Sequence, residues 1–210
     1  MSIIGGFMDT EKAIKKYGKY YRTALDEDGF TDVEKRMEAF EARLGEMYAS
    51  ENFQKHNIYP TTDATYIYAV IAMCLEIKSL GYSDKDTIEI VNRGFEKRRN
   101  FFKRIIAVIN VLPNSFDIAR KWNINDHRKR VKDGSITYDY FKVSKDKVEY
   151  SISKCMYVEM FATYGIRPLC KIFCKTDEFA YAGLPKHVTF IRHSDLSDGP
   201  ACFDEVVRKV

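Results

Sequence analysis

The 210-residue chain is short of the features that mark membrane, secreted and nucleotide-binding proteins. Its longest apolar run, IYAVIAMCLEI at 67–77, is too short to span a bilayer and is interrupted by Glu76. The opening MSIIGGFMDTEK has no basic region before its short apolar stretch, so we expect no signal peptide. The cysteines are Cys74, Cys155, Cys170, Cys174 and Cys202. They are odd in number and irregular in spacing, which argues against a secreted disulfide framework and makes a reducing cytoplasm the expected compartment. The four histidines form no HExxH pair, and His56 and His127, each following a helical segment, read as surface residues. There is no GxSxG, Walker or GxGxxG motif, and the cysteines are not arranged as paired CxxC ligands, so neither metal nor cofactor is expected. Net charge is only +4, with the basic residues spread along the chain. The densest cluster, EKRRNFFKR at 96–104, reads as a solvated helix face with Phe101 and Phe102 partly turned inward, not as a nucleic-acid patch.

What is present is an ordinary globular composition, 45% hydrophobic and 30% charged, long enough to bury a core without disulfides. Residues 1–130 read as mostly helical. Ile14, Tyr17, Tyr21 and Leu25 line one side of a first helix. Thr31 and Glu34 have the spacing of a capping box ahead of Val33, Met37, Phe40, Leu44 and Met47. TTDATYIYAVIAMCLEIKSLG, apolar almost all round, reads as the central buried helix, started by Thr61 or Thr62 and ended by Gly81. A helix from Ser83 to just before Pro113 follows, then a short one near 115–130 carrying Trp122. The pattern changes after 134. SITYDYFKV (135–143) and KVEYSIS (147–153) are rich in aromatic and β-branched residues and suit a hairpin. Helical segments cover 155–182, Pro168 starting the second of them. HVTFIRHSD (187–195) and the stretch after the SDGP turn close the chain as a second hairpin. The expected fold is one α+β domain over 1–210, with both hairpins in one antiparallel sheet and the 155–182 segment packed on it.

Two places invite chemistry. In LCKIFCKTDEFAY (169–181), Cys170, Cys174 and Asp177 return to one helical face. On 187–195, Val188, Phe190 and Arg192 share a face, so a packed strand turns Arg192 inward, where it needs a carboxylate or anionic ligand. Asp177 and Glu159 are the internal partners to consider. A nucleophilic thiol needs a base or a positive neighbour, and His193 and Arg192 are the nearest suppliers.

Cys155 with Tyr157 and Glu159, then Cys174-x-x-Asp177, Arg192 and Gly199-x-x-Cys202, together resemble the L-2-amino-thiazoline-4-carboxylic acid hydrolase family over the last third of the chain. Two positions depart from that pattern: Phe203 and Asp204 stand in reversed order after the last cysteine, and His193 follows the arginine where threonine is common. The resemblance implies ring-opening hydrolysis of a cyclic isothiourea carboxylate to N-carbamoyl-L-cysteine, by water or by a thiol. It implies Cys174, Asp177 and Cys155 as catalytic groups. Arg192, Glu159, Tyr157, Cys202 and His193 form the substrate-binding set, Arg192 gripping the carboxylate. It splits Cys170, Cys174 and Asp177 by role, leaving Cys170 to packing. The partner expected is a small-molecule carboxylate, with no nucleic acid and no membrane; a homodimer stays open. Two alternatives stand beside it. One is a non-catalytic domain similar to 4-vinyl reductase-like small-molecule- or metal-binding domains, and the other is a scaffold whose N-terminal helices make a dimer.

Overall fold

The computed structural model describes residues 10–209, apart from the side chains of Lys97 and Arg98. The start of the chain, on which the expectation about a signal peptide rests, lies outside the described residues. The chain forms an α+β fold in two compact units, one made of Met1–Lys97 with Met160–Ile172 and the other of Arg98–Glu159 with Phe173–Val210. No helix among the described residues is long and apolar enough to cross a membrane.

The first unit is helical: α1 (Thr10–Glu27), α2 (Val33–Ala49), α3 (Glu51–His56), α4 (Thr61–Ser79) and α5 (Asp84–Gly94). Helix α4 is its centre, with Ile67 to Cys74 at most 1% exposed, as its all-round apolar character requires. Its one buried acid, Glu76, is paired with Arg43. Tyr17, Tyr21 and Leu25 of α1 and Met37, Phe40 and Leu44 of α2 are buried as their periodicity predicts. The capping box does not form. Helix α2 begins one residue later with Asp32 as N-cap, and Glu34 is drawn away by Arg22 at 2.5 and 2.8 Å. His56 is also not a surface residue. It is buried, with Nδ1 2.9 Å from the Tyr68 hydroxyl and Nε2 3.2 Å from Thr163 Oγ1, because the short α3 delivers it into a nest of aromatic rings.

The helix expected from Ser83 to Pro113 breaks in two at Phe95. Ser83 caps α5, its hydroxyl accepting from the Asp86 N–H at 3.2 Å, and α6 runs Glu96–Asn110. Gly94, the last residue of α5, lies so close to α1 that a Cβ there would collide with the Tyr20 carbonyl.

In the second unit α6 is followed by α7 (Ser115–Asp133), β1 (Ile136–Val143), β2 (Lys147–Cys155), α8 (Met156–Thr163), a 3-10 turn (Arg167–Cys170), α9 (Lys171–Ala182), β3 (Val188–Ser194) and β4 (Cys202–Arg208). Part of α8, the turn and the start of α9 belong to the first unit. The strands form one antiparallel sheet in the order β1-β2-β4-β3, so both hairpins share it as expected. Val148, Tyr150, Ile152, Val188, Cys202 and Val206 pack on its inner face with Phe116, Ala119 and Leu184. Helix α7 is longer than expected and lies against β1, β2 and β4; α9 adds Tyr181, stacked on Phe190 at 4.8 Å. A bulge between Tyr138 and Tyr140 lets Tyr138 and Phe141, three residues apart, both pack on this core. His127 stacks on Phe141 at 4.0 Å and is only partly exposed.

Candidate functional site

The register of the last hairpin sets Arg192 on β3 directly across from Asp204 on β4. Alternation turns Cys202, Asp204 and Val206 inward on one strand and Val188, Phe190 and Arg192 on the other. Arg192 keeps 12% of its side chain exposed and Asp204 only 2%. The pair is bidentate: Nε donates to Oδ1 at 2.9 Å and Nη2 to Oδ2 at 2.8 Å. The Tyr150 hydroxyl donates to Oδ2 at 3.2 Å and the Cys202 thiol lies 3.5 Å from the same atom. Burial works against the charge of Arg192, but the bonds and charge of Asp204 outweigh it and hold the guanidinium protonated. Burial raises Tyr150 well above the ordinary tyrosine range, so it stays a donor.

Helix α9 brings its own groups to the same guanidinium. The Cys174 carbonyl accepts from Nη1 at 3.2 Å, Asp177 Oδ2 is 3.5 Å from Nη2, and Glu178 Oε1 is 3.5 Å from Nη1. Asp177 is 58% exposed. The protein crowded around its inner side pushes its carboxyl up to about 6; Arg192 pulls the other way and Asp204 adds to the rise. The result is a carboxylate accessible to solvent, held beside a fixed positive charge.

Two thiols near this centre, Cys155 and Cys202, are held protonated by their surroundings. Cys155, at the end of β2, is pushed up to about 11 by burial, while the N–H groups of Val158 and Tyr157 pull it down. Cys202 is raised further, first by burial and then by Asp204. Cys174 is close enough to raise both. Beside them, the Arg130 guanidinium of α7 lies 5.9 Å above the Tyr157 ring, which also meets Phe173 at 4.7 Å. Asn123 Nδ2 donates to the Tyr181 hydroxyl at 2.7 Å. An open cleft of about 420 Å³ adjoins Arg192 and is lined by Glu178, Tyr181, Phe190 and Lys209.

Cys155, Cys174, Asp177, Arg192 and Cys202 therefore converge, with Tyr157 close by. Glu159 of α8 is half-buried and 3.3 Å from Lys154. One member of the sequence-derived set does not join the converging residues. His193, one residue from the inward Arg192, is on the opposite face of the sheet, stacked on Phe203 at 4.5 Å and 3.3 Å from Glu205. Cys170, fully buried in the 3-10 turn, belongs to the first unit. Sequence reasoning missed Asp204, the first partner of Arg192 in place of Asp177 or Glu159. It also missed Tyr150, Glu178 and the α7 groups. For Asp204 the signal was there: it stands two residues after Cys202 on a strand, so the two share a face. Among the described residues no three His, Cys, Asp or Glu side chains are grouped as a metal site would need.

A comparison with protein-family models matches residues 62–204 to one described as L-2-amino-thiazoline-4-carboxylic acid hydrolase, a span that includes every converging residue. No curated protein matches the chain.

Proposed function

The chain belongs to the L-2-amino-thiazoline-4-carboxylic acid hydrolase family, and from that premise we propose that the Arg192 centre hydrolyses a cyclic amidine or isothiourea carboxylate. L-2-amino-thiazoline-4-carboxylate is such a substrate, opening to N-carbamoyl-L-cysteine. The observation that carries the reading is the excess of carboxylate around a single locked guanidinium: Asp177, Glu178 and Asp204 all face Arg192. Such a centre suits a ligand whose reacting half is a cationic amidinium.

Asp177 is the general base. Its carboxyl, raised to about 6, is ionised at neutral pH yet basic enough to take a proton from water. The water oxygen adds to the ring carbon that bears the two nitrogens and the sulfur. The carbon–sulfur bond then breaks and the departing sulfur takes up a proton. One water is consumed, and a ureido group and a thiol are produced. The raised pKa values of Cys155 and Cys202 leave both as thiols at neutral pH, which favours water over either of them as nucleophile.

Arg192 acts differently from the expected carboxylate clamp, because Asp204 occupies one edge of its fork. It is a fixed positive charge that, with Lys209 in the adjoining cleft, attracts the substrate carboxylate. The test is turnover of L-2-amino-thiazoline-4-carboxylate by the purified protein, with product followed by mass spectrometry. Asp177→Asn is expected to lower kcat/KM by roughly 100-fold or more while the protein stays folded. Absence of turnover in the wild type across a panel of cyclic amidine carboxylates sinks the reading. Full activity in Asp177→Asn removes Asp177 from its role.

A further inference from the structure

Helix α6 has two apolar sides. Ile106 and Ile109 pack into the core of the second unit. The other side carries Phe101, Ile105 and Val108 and, in the turn that follows, Leu112, residues separated by steps of four, three and four. On a helix those steps return to one narrow stripe, the seam spacing of paired helices. None of it is covered by the described residues: exposure runs from 39% at Leu112 to 64% at Phe101 and Val108, and Phe102 and Val111 flank it at 48% and 65%. Phe101 and Phe102 are thus turned outward, contrary to the expectation from sequence.

We propose that this stripe is a self-association surface, and that two copies of the chain pair their α6 helices antiparallel about a two-fold axis. With the axis between Ile105 and Val108, Phe101 of one copy meets Leu112 of the other and Ile105 meets Val108. A stripe with 4-3-4 spacing is complementary to itself in this way, as an isologous contact requires. Charge selects the direction. The basic residues of α6 lie in its first two-thirds, and AVINVL at 107–112 has no charge. Antiparallel pairing lays Arg104 beside the uncharged end of the other copy, whereas parallel pairing would set Arg104 against Arg104. The six side chains leave on the order of 500 Å² open per copy, so a pair buries roughly 1,000 Å², the lower bound of a specific interface. A lipid surface fits less well, since the basic residues gather at one end of the stripe, at 97–104, and leave 107–112 with no charge to meet lipid headgroups; Lys103 is turned to the Phe179 ring, 5.0 Å away.

The test is sedimentation of the full chain from about 1 to 100 µM, the range of a weak self-association. The expected result is a species of twice the chain's mass that falls to a single chain in both Ile105→Glu and Val108→Glu, with melting temperature unchanged. Should Ile105→Glu fail to fold, the more exposed Val108→Glu carries the comparison. Mixing Ile105→Cys and Val108→Cys chains under oxidation should give the mixed cross-linked pair in preference to either like pair. A wild type that stays a single chain at the highest concentration overturns the proposal, as does a pair that survives both glutamates. A wild type that remains single but binds phosphatidylserine vesicles overturns it in favour of a membrane surface.

Discussion

A guanidinium with 12% of its side chain exposed needs its charge answered nearby, and the two bonds from Asp204 answer it. Asp204→Ala leaves Arg192 buried without its main partner and strands the Tyr150 hydroxyl. We expect a loss of about 3–5 kcal/mol of stability, read by chemical denaturation. Asp204→Asn, which keeps one acceptor, should fall between. Asp177 should show itself in pH dependence. Its carboxyl is raised from 3.8 to about 6, so the folded state binds that proton more tightly than the unfolded one. Its contribution to stability is therefore full below about 4 and lost as pH rises through about 6. Asp177→Asn removes the loss, and its melting temperature should gain on the wild type between pH 4 and 7. As the base, Asp177 must be ionised, so kcat/KM should rise with pH to a plateau with its midpoint near 6, a limb absent from Asp177→Asn. Arg192 was legible from alternation alone. Asp204 was legible as an inward residue but not as a partner, because partnership depends on register, and register is set by the turn at 195–201 and not by either strand. His193 was separable from the start, since neighbours on a strand cannot share a face.

At the scale of elements, the strands were readable because each carries alternation and β-branched or aromatic residues, and a single buried face enforces one pairing. The cover of the sheet was less readable. Helix α7 has apolar positions scattered among RKWNINDHRKRVK, a pattern too weak to announce that it lies against three strands. The glycine before the break between α5 and α6 was illegible for another reason. A lone glycine in a helical pattern is tolerated, and only the approach of α1 shows why Gly94 must be one. The Cβ of Gly94→Ala would meet backbone, which cannot swing aside as a side chain can. We expect it to cost about 3 kcal/mol and to lower the melting temperature by roughly 6–12 °C. Gly45→Ala, in a helix with open space around it, should be neutral or slightly stabilising in the same thermal melt.

For the whole molecule, the path of the chain matters as much as its elements. The first unit is not one continuous stretch: Met160–Ile172 is lent to it from the middle of the part that builds the second. That insert is apolar where it counts, with Phe161, Leu169 and Cys170 fully buried and Ile172 nearly so. Local patterns showed each of these helices but not which unit would own them, because ownership depends on contacts distant in sequence. The arrangement has a consequence for dissection. A fragment of residues 1–97 keeps α1 to α5 but loses the packing of Met160, Phe161, Leu169 and Ile172, besides that of Cys170. At about 1.5–3 kcal/mol for each of those four, that is roughly 6–12 kcal/mol, as large as the net stability of a typical domain. Residues 1–97 alone should therefore melt without a cooperative transition in circular dichroism. The same fragment joined through a glycine–serine linker to residues 160–172 should regain one. A sharp, equal transition in both would mean that the inserted segment is a passenger on the first unit, not part of its core.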